Sequence, residues 1–171
     1  MKKHNGMRPQ DILILLKILS LGDAHFYLKD ISAQLDVSPS EVTESVNRSA
    51  FAGLMAEDKK TVMRKALYEF LIHGLAYVFP QKPGAIVPGM PTAHSAAPLH
   101  KEFKSDEVYV WPDPKGKVRG QQIEPFHPGQ VSAAKQDSKL YELLALADAL
   151  RVGKVREKKM AEEELKKRIL K

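Results

Sequence analysis

Ser38-Pro39-Ser40-Glu41 is the feature that most restricts this chain. Ser38 can accept the first free amides of a helix, and Pro39 has no N–H to waste in the first turn. Glu41, three residues after Ser38, can return its carboxylate to the Ser38 amide, which completes a capping box. A helix therefore starts at residue 39, and losing such a cap costs about 0.5–2 kcal/mol. Val42, Val46, Ala50 and Leu54 supply its buried stripe and exit. The helix runs to about Ala52, where Gly53 can take the left-handed conformation that ends it.

Two shorter helical patterns precede it. Arg8-Pro9-Gln10-Asp11 opens the first, with Asp11 at the positive end of the helix dipole and Ile12, Leu15, Leu16 and Leu19 at helical spacing. Gly22-Asp23 ends it. Leu28, Ile31, Ser32 and Leu35 mark a second helix, and only Asp36-Val37-Ser38 separates it from the third. Downstream, residues 61–79 read as a fourth helix, apolar almost all round near its end, with His73 as a hydrogen-bonded core or interface residue. Residues 80–100 hold five prolines and show no helical or strand period, so a loop is expected. Residues 107–111 and 118–123 read as two strands joined by a hairpin turn at 112–117. A stripe of Leu140, Leu143, Leu144, Ala147 and Leu150 and a last helix near 154–170 close the chain. The expected organisation is 1–80, a Pro/Gly-rich loop at 81–106, and 107–171.

Two short helices, a three-residue turn and a capped third helix make a helix-turn-helix. Residues 27–35, Val37-Ser38-Pro39-Ser40-Glu41-Val42 and Ala52-Gly53-Leu54-Met55 resemble the core of bacterial winged-helix transcriptional regulators of the MarR-like kind. The resemblance covers a quarter to a third of the chain. It implies an N-terminal winged-helix-like domain, and with the small β-hairpin and C-terminal helices read from the pattern the expectation is a mainly α protein. The resemblance also implies a dimeric repressor or activator with helix three in the major groove of double-stranded DNA.

The residue chemistry is read independently of that likeness. At about 100° per residue from Val42, Ser40, Glu44 and Asn47 point away from the core, and Thr43 and Arg48 flank them. Asn47 can pair with adenine and Arg48 with guanine, Glu44 can accept from cytosine N4, and Ser38, Ser40 and Thr43 can contact bases or phosphates. Glu44 also repels phosphate. Phe51 points to the same outward side, as a contact for helix four or for a protein partner, and Ser49 departs from the resembled family, which commonly carries leucine there. No hairpin is expected directly after helix three. The hairpin bearing Lys115, Lys117 and Arg119 reads either as a displaced wing or as a surface hairpin unrelated to DNA.

Charge divides these roles. The chain of 171 residues carries a net +6. Residues 1–60 hold eight Lys/Arg against eight Asp/Glu, and residues 151–171 hold nine against four. Non-specific attraction to phosphates must then come from outside the head, from the hairpin or the tail. The tail has a second reading as a solvated helix. The absence of cysteine excludes disulfides and thiolate chemistry. No Gly-rich phosphate loop, HExxH or nucleophile elbow appears, so neither enzyme activity, a metal nor a cofactor is expected. His94 and His100 read as solvated loop residues, and Tyr109 and Trp111 as packing residues on one strand face. Met1-Lys2-Lys3 before an apolar stretch slightly resembles a signal peptide, but Lys17 interrupts it and no cleavage site follows. The expectation is a cytoplasmic homodimer without a membrane span, self-associating through 70–79 and 140–150. The rival is an antitoxin-like or adaptor subunit that uses the fold to bind protein.

Overall fold

Asp11 turns its carboxylate back to the Arg8 amide at 2.8 Å, and this cap starts α1 (Pro9–Ser20) in the computed structural model, which describes residues 5–171. Met1-Lys2-Lys3 lies outside the described residues. Among those residues the chain is mainly α, with eight α-helices and one small three-stranded sheet. Its contacts divide it into two compact units. One runs through Leu67 and adds Phe126–Leu140, and the other is Tyr68–Pro125 with Tyr141–Lys171. The divisions fall at 67/68, 125/126 and 140/141, the first and last of them inside helices.

In the first unit, α1 is buried all round from Asp11 to Ile18 and not only along the expected stripe. Lys17 tolerates this because its Nζ donates to Asp137 at 2.8 Å. Next come α2 (Leu28–Leu35) and α3 (Pro39–Phe51). The turn between them works because Asp36 takes a left-handed φ of 54°, and the Ser32 hydroxyl donates to the Val37 carbonyl. At the start of α3 the Glu41 amide donates to Ser38 Oγ at 3.3 Å. At its end Gly53, with φ of 80°, lets its own amide reach the Ala50 carbonyl and the Leu54 amide reach that of Ser49. Both helices bury their apolar sides against α1. A seven-residue helix, α6 (Gln130–Gln136), packs on α2.

A short hairpin follows α3 directly, which overturns the expectation that none would. Met55 and Val62 form an antiparallel bridge, the Ala56 amide donates to Thr61 and the Met63 amide to Leu54. Asp58 holds the tip, accepting from the Lys60 amide, the Thr61 amide and the Thr61 hydroxyl at 2.7–2.9 Å. These bonds, first of all that from the Lys60 amide, hold its carboxyl below the ordinary range. The hairpin takes the residues that periodicity assigns to the start of a fourth helix. That helix is α4 (Arg64–His73), and after Gly74 only α5 (Leu75–Val78) continues it. Leu67, Leu71 and Leu75 are buried, whereas His73, Tyr77 and Val78 are exposed, which corrects the reading of His73 as a core residue.

The expected loop at 80–100 contains a strand. In the second unit β1 (Ile86–Pro91) pairs antiparallel with both β2 (Tyr109–Pro112) and β3 (Val118–Gln122). The last two run parallel, Tyr109 beside Gln121, so they do not form the expected hairpin. Three strands close on themselves only if the backbones approach very closely, and glycine supplies that approach. A Cβ on Gly89 would collide with the Trp111 carbonyl, and one on Gly120 with that of Val108. Two longer helices follow in the chain, α7 (Ser138–Val152) and α8 (Val155–Ile169). Asp148 on α7 is fully buried, and its Oδ2 accepts from Thr92 Oγ1 at 2.7 Å and Trp111 Nε1 at 2.6 Å. Its Oδ1 accepts from Arg151 at 3.2 Å. Burial pushes this carboxyl up, while Arg151, Thr92 and Trp111 oppose the rise.

Candidate nucleic-acid interface

The face of α3 opposite its packed side is built by a simple division of labour. Val42, Ser45, Val46 and Ser49 are buried. Ser38, Ser40, Thr43, Glu44 and Asn47 are exposed. The Ser38 and Ser40 hydroxyls lie 3.3 Å apart, and the Thr43 hydroxyl donates to the Pro39 carbonyl at 3.0 Å. Thr43 therefore offers outward its methyl group and its oxygen as an acceptor. Asn47 and Glu44 are the two longer polar groups that project from this face.

Arg48 departs from the expectation. Its Nε and Nη2 donate to the two oxygens of Asp11 at 2.9 and 2.7 Å, and Asp11 is wholly buried. This bidentate pair ties α3 to α1. The Asp11 hydrogen bond, with help from Glu44 at 3.8 Å, holds the guanidinium above its ordinary range. Arg48 is thus engaged inside the unit and is not on the exposed face. The cause is its length. At the edge of the packed arc an arginine can turn outward or inward, and the carboxylate under α1 decides. Both residues were visible in the sequence, but their pairing across 37 positions was not.

The hairpin after α3 adds two cations that the sequence reading had not assigned to the site. Lys59 and Lys60 are exposed at its tip, and Lys59 takes a left-handed φ of 57°. The signal in the sequence was Asp58-Lys59-Lys60-Thr61, an aspartate positioned to bond the backbone two and three residues on. Tyr27, 58% exposed at the N-cap of α2, carries Lys29 with its Nζ 5.5 Å from the ring centre. Phe51 is 77% exposed at the last position of α3, so it does not pack on α4.

The remaining candidates belong to the second unit. Lys115, Lys117 and Arg119 are exposed on the segment leading into β3 and on β3 itself. Of the basic tail, Glu157, Ala161, Leu165 and Ile169 form the buried side of α8. Arg151 and Arg168 are occupied internally, the latter by Glu142 at 2.9 Å and by Glu164. Lys154, Arg156 and Lys159 face solvent. His94 is not the solvated loop residue expected: it is 3% exposed, its Nε2 lies 2.7 Å from the Glu107 carbonyl, and its ring meets Tyr109 edge-on. Among the described residues no three His, Asp or Glu side chains are arranged to hold a metal ion, and no helix is long and apolar enough to cross a membrane.

No protein-family model matches the chain, and comparison with curated proteins and with solved structures returned no match.

Proposed function

We propose that this chain reads double-stranded DNA as a sequence-specific transcriptional regulator, with α3 in the major groove and the 54–63 hairpin as a short wing in a MarR-like winged-helix arrangement. The observation that carries the reading is the outward row of Ser40, Thr43, Glu44 and Asn47 on a helix whose opposite side is packed. Asn47 offers the donor and acceptor pair that adenine matches, and Glu44 accepts from cytosine N4. Ser38, Ser40 and Thr43 set register on phosphates and sugars. Lys59 and Lys60 neutralise phosphates beside them. Lys115, Lys117, Arg119 and the exposed lysines of α8 add affinity without sequence information. As a homodimer the protein would place two reading helices about 34 Å apart and favour near-palindromic sites.

Fluorescence anisotropy with labelled duplexes across about 50–200 mM salt tests this. Asn47→Ala should cost about 1–3 kcal/mol on the preferred site and little on others. Lys59→Gln with Lys60→Gln should weaken every duplex alike. It should also flatten the salt dependence by about 0.9 log units per lost phosphate contact. Wild-type binding by both variants removes α3 and its hairpin from the interface.

Phe51, at 77% exposure on the same outward side, favours a second reading in which this face binds a protein. Binding of no duplex at low salt, with Phe51→Ser dissociating a purified complex, would select that reading.

A further inference from the structure

A cavity of about 560 Å³ opens within the second unit, between the first of its two 3-10 turns (Ala93–Ser95) and the segment leading into β2. That size lies in the range of small-molecule sites, roughly 300–1,000 Å³. Phe103, Val108 and Val118 give it apolar lining, and Ser95, Lys104 and Ser105 give it polar groups.

The hydrogen-bond inventory of those polar groups is lopsided. Ser95 Oγ accepts the Tyr109 amide at 3.0 Å, and Ser105 Oγ accepts the Glu107 amide at 3.1 Å. Each hydroxyl oxygen is therefore satisfied as an acceptor, and its proton is left to donate elsewhere. For Ser95 the neighbouring ring offers no alternative. His94 Nε2, 3.4 Å away, is itself directed at the Glu107 carbonyl at 2.7 Å, so it carries the hydrogen and cannot accept. Among the described residues Lys104 has neither an ion pair nor a hydrogen bond, and His100 adds a ring to the same lining. Arg156 brings its guanidinium to 5.9 Å from the Phe103 ring centre. Against these donors stands one carboxylate, Asp106.

Surplus donors beside an apolar surface call for an acceptor-rich head on an apolar body. We propose that this cavity binds a small organic monoanion. A compact oxyanion is received by Lys104, Ser95 and Ser105, and its hydrocarbon part lies on Phe103 and Val108. Asp106 selects against multiply charged ligands, because a second negative charge would face it without a partner. The inference is independent of the DNA-reading assignment, since it concerns the second unit alone.

The test uses the full chain and two probes of matched shape, hexanoate and hexanol, with inorganic phosphate as a headgroup without a body. Amide resonances of Ser95, Lys104 and Ser105 are followed by NMR. Hexanoate should give saturable shifts there in the millimolar range, with hexanol and phosphate about tenfold or more weaker. Lys104→Gln should weaken hexanoate about tenfold while leaving hexanol unchanged. Because Lys104 is exposed, the variant should keep the wild-type Trp111 emission, which verifies folding of the unit. Equal binding of hexanol and hexanoate, an unaffected Lys104→Gln variant, or no saturable shift with hexanoate each overturns the proposal.

Discussion

Arg48→Ala should unfold the first unit rather than weaken a base contact. In the wild type the Asp11 carboxylate is wholly buried and accepts three hydrogen bonds, two from Arg48 and one from the Arg8 amide. Truncating Arg48 removes two of the three and leaves a buried charge with one amide. Breaking a buried pair from one side costs about 3–5 kcal/mol, which is a large share of a small domain's stability. Replacing both partners, as in Asp11→Ala with Arg48→Met, removes the stranded charge together with its cation. The loss should then shrink to little more than the cap on α1, about 0.5–2 kcal/mol. The coupling energy in the double-mutant cycle should accordingly reach about 2 kcal/mol or more. The assay must report on the correct unit. The only tryptophan, Trp111, lies in the second unit, so its fluorescence is blind to this change. Hydrogen exchange at the amides of α1 and α3 reads it directly. A single-variant loss below about 1 kcal/mol, or strictly additive losses, would refute the account. The same experiment bears on function: a base-reading arginine would lower affinity for the preferred site with exchange unchanged.

Three further outcomes follow from the same contacts. Ser49 Oγ is buried on α3 with no hydrogen-bond partner among the described residues, so Ser49→Ala should leave stability unchanged or raise it by up to about 1 kcal/mol, measured by exchange at α3. Burial alone would raise the Asp137 carboxyl, but hydrogen bonds from Lys17, the Leu140 amide and Ser20 outweigh it and hold it below its ordinary range. A group depressed on folding contributes stability above its unfolded value, near about 4, and loses it as pH falls through the folded one. Acid titration should therefore loosen α1 and the start of α7 below about pH 4, and Asp137→Asn should remove that component of the pH profile. Gly120→Val forces a side chain into the Val108 carbonyl, so the three-stranded ring should open at a cost of about 1–3 kcal/mol or more, read by a red shift of Trp111 emission.

Local signals carried the first third of the chain. Pro39 and Ser38 mark the start of α3 and Gly53 its end, because a cap, a missing amide and a left-handed residue act within four positions of themselves. The exposed row of Ser40, Thr43, Glu44 and Asn47 was legible for the same reason: helical periodicity alone sets which side of α3 faces away from Val42. Beyond such short-range rules, tertiary structure decided. Arg48 turns inward because Asp11, 37 residues away, waits under it. β1 forms in a proline-rich stretch without strand period because β2 and β3 supply partners on both sides, and its glycine lets them close. β2 and β3 became parallel neighbours, although a hairpin was the local expectation, because pairing with β1 sets their direction. Residues 61–63, expected at the start of the fourth helix, pair back in the hairpin instead, because Asp58 offers the turn three hydrogen bonds at once. His94 went from surface to interior for a reason of the same kind: its ring finds the Glu107 carbonyl and the Tyr109 ring only after the sheet has assembled. A sequence displays propensities over a few residues, whereas the burial of a charge or the pairing of a strand depends on groups that meet only in the folded chain.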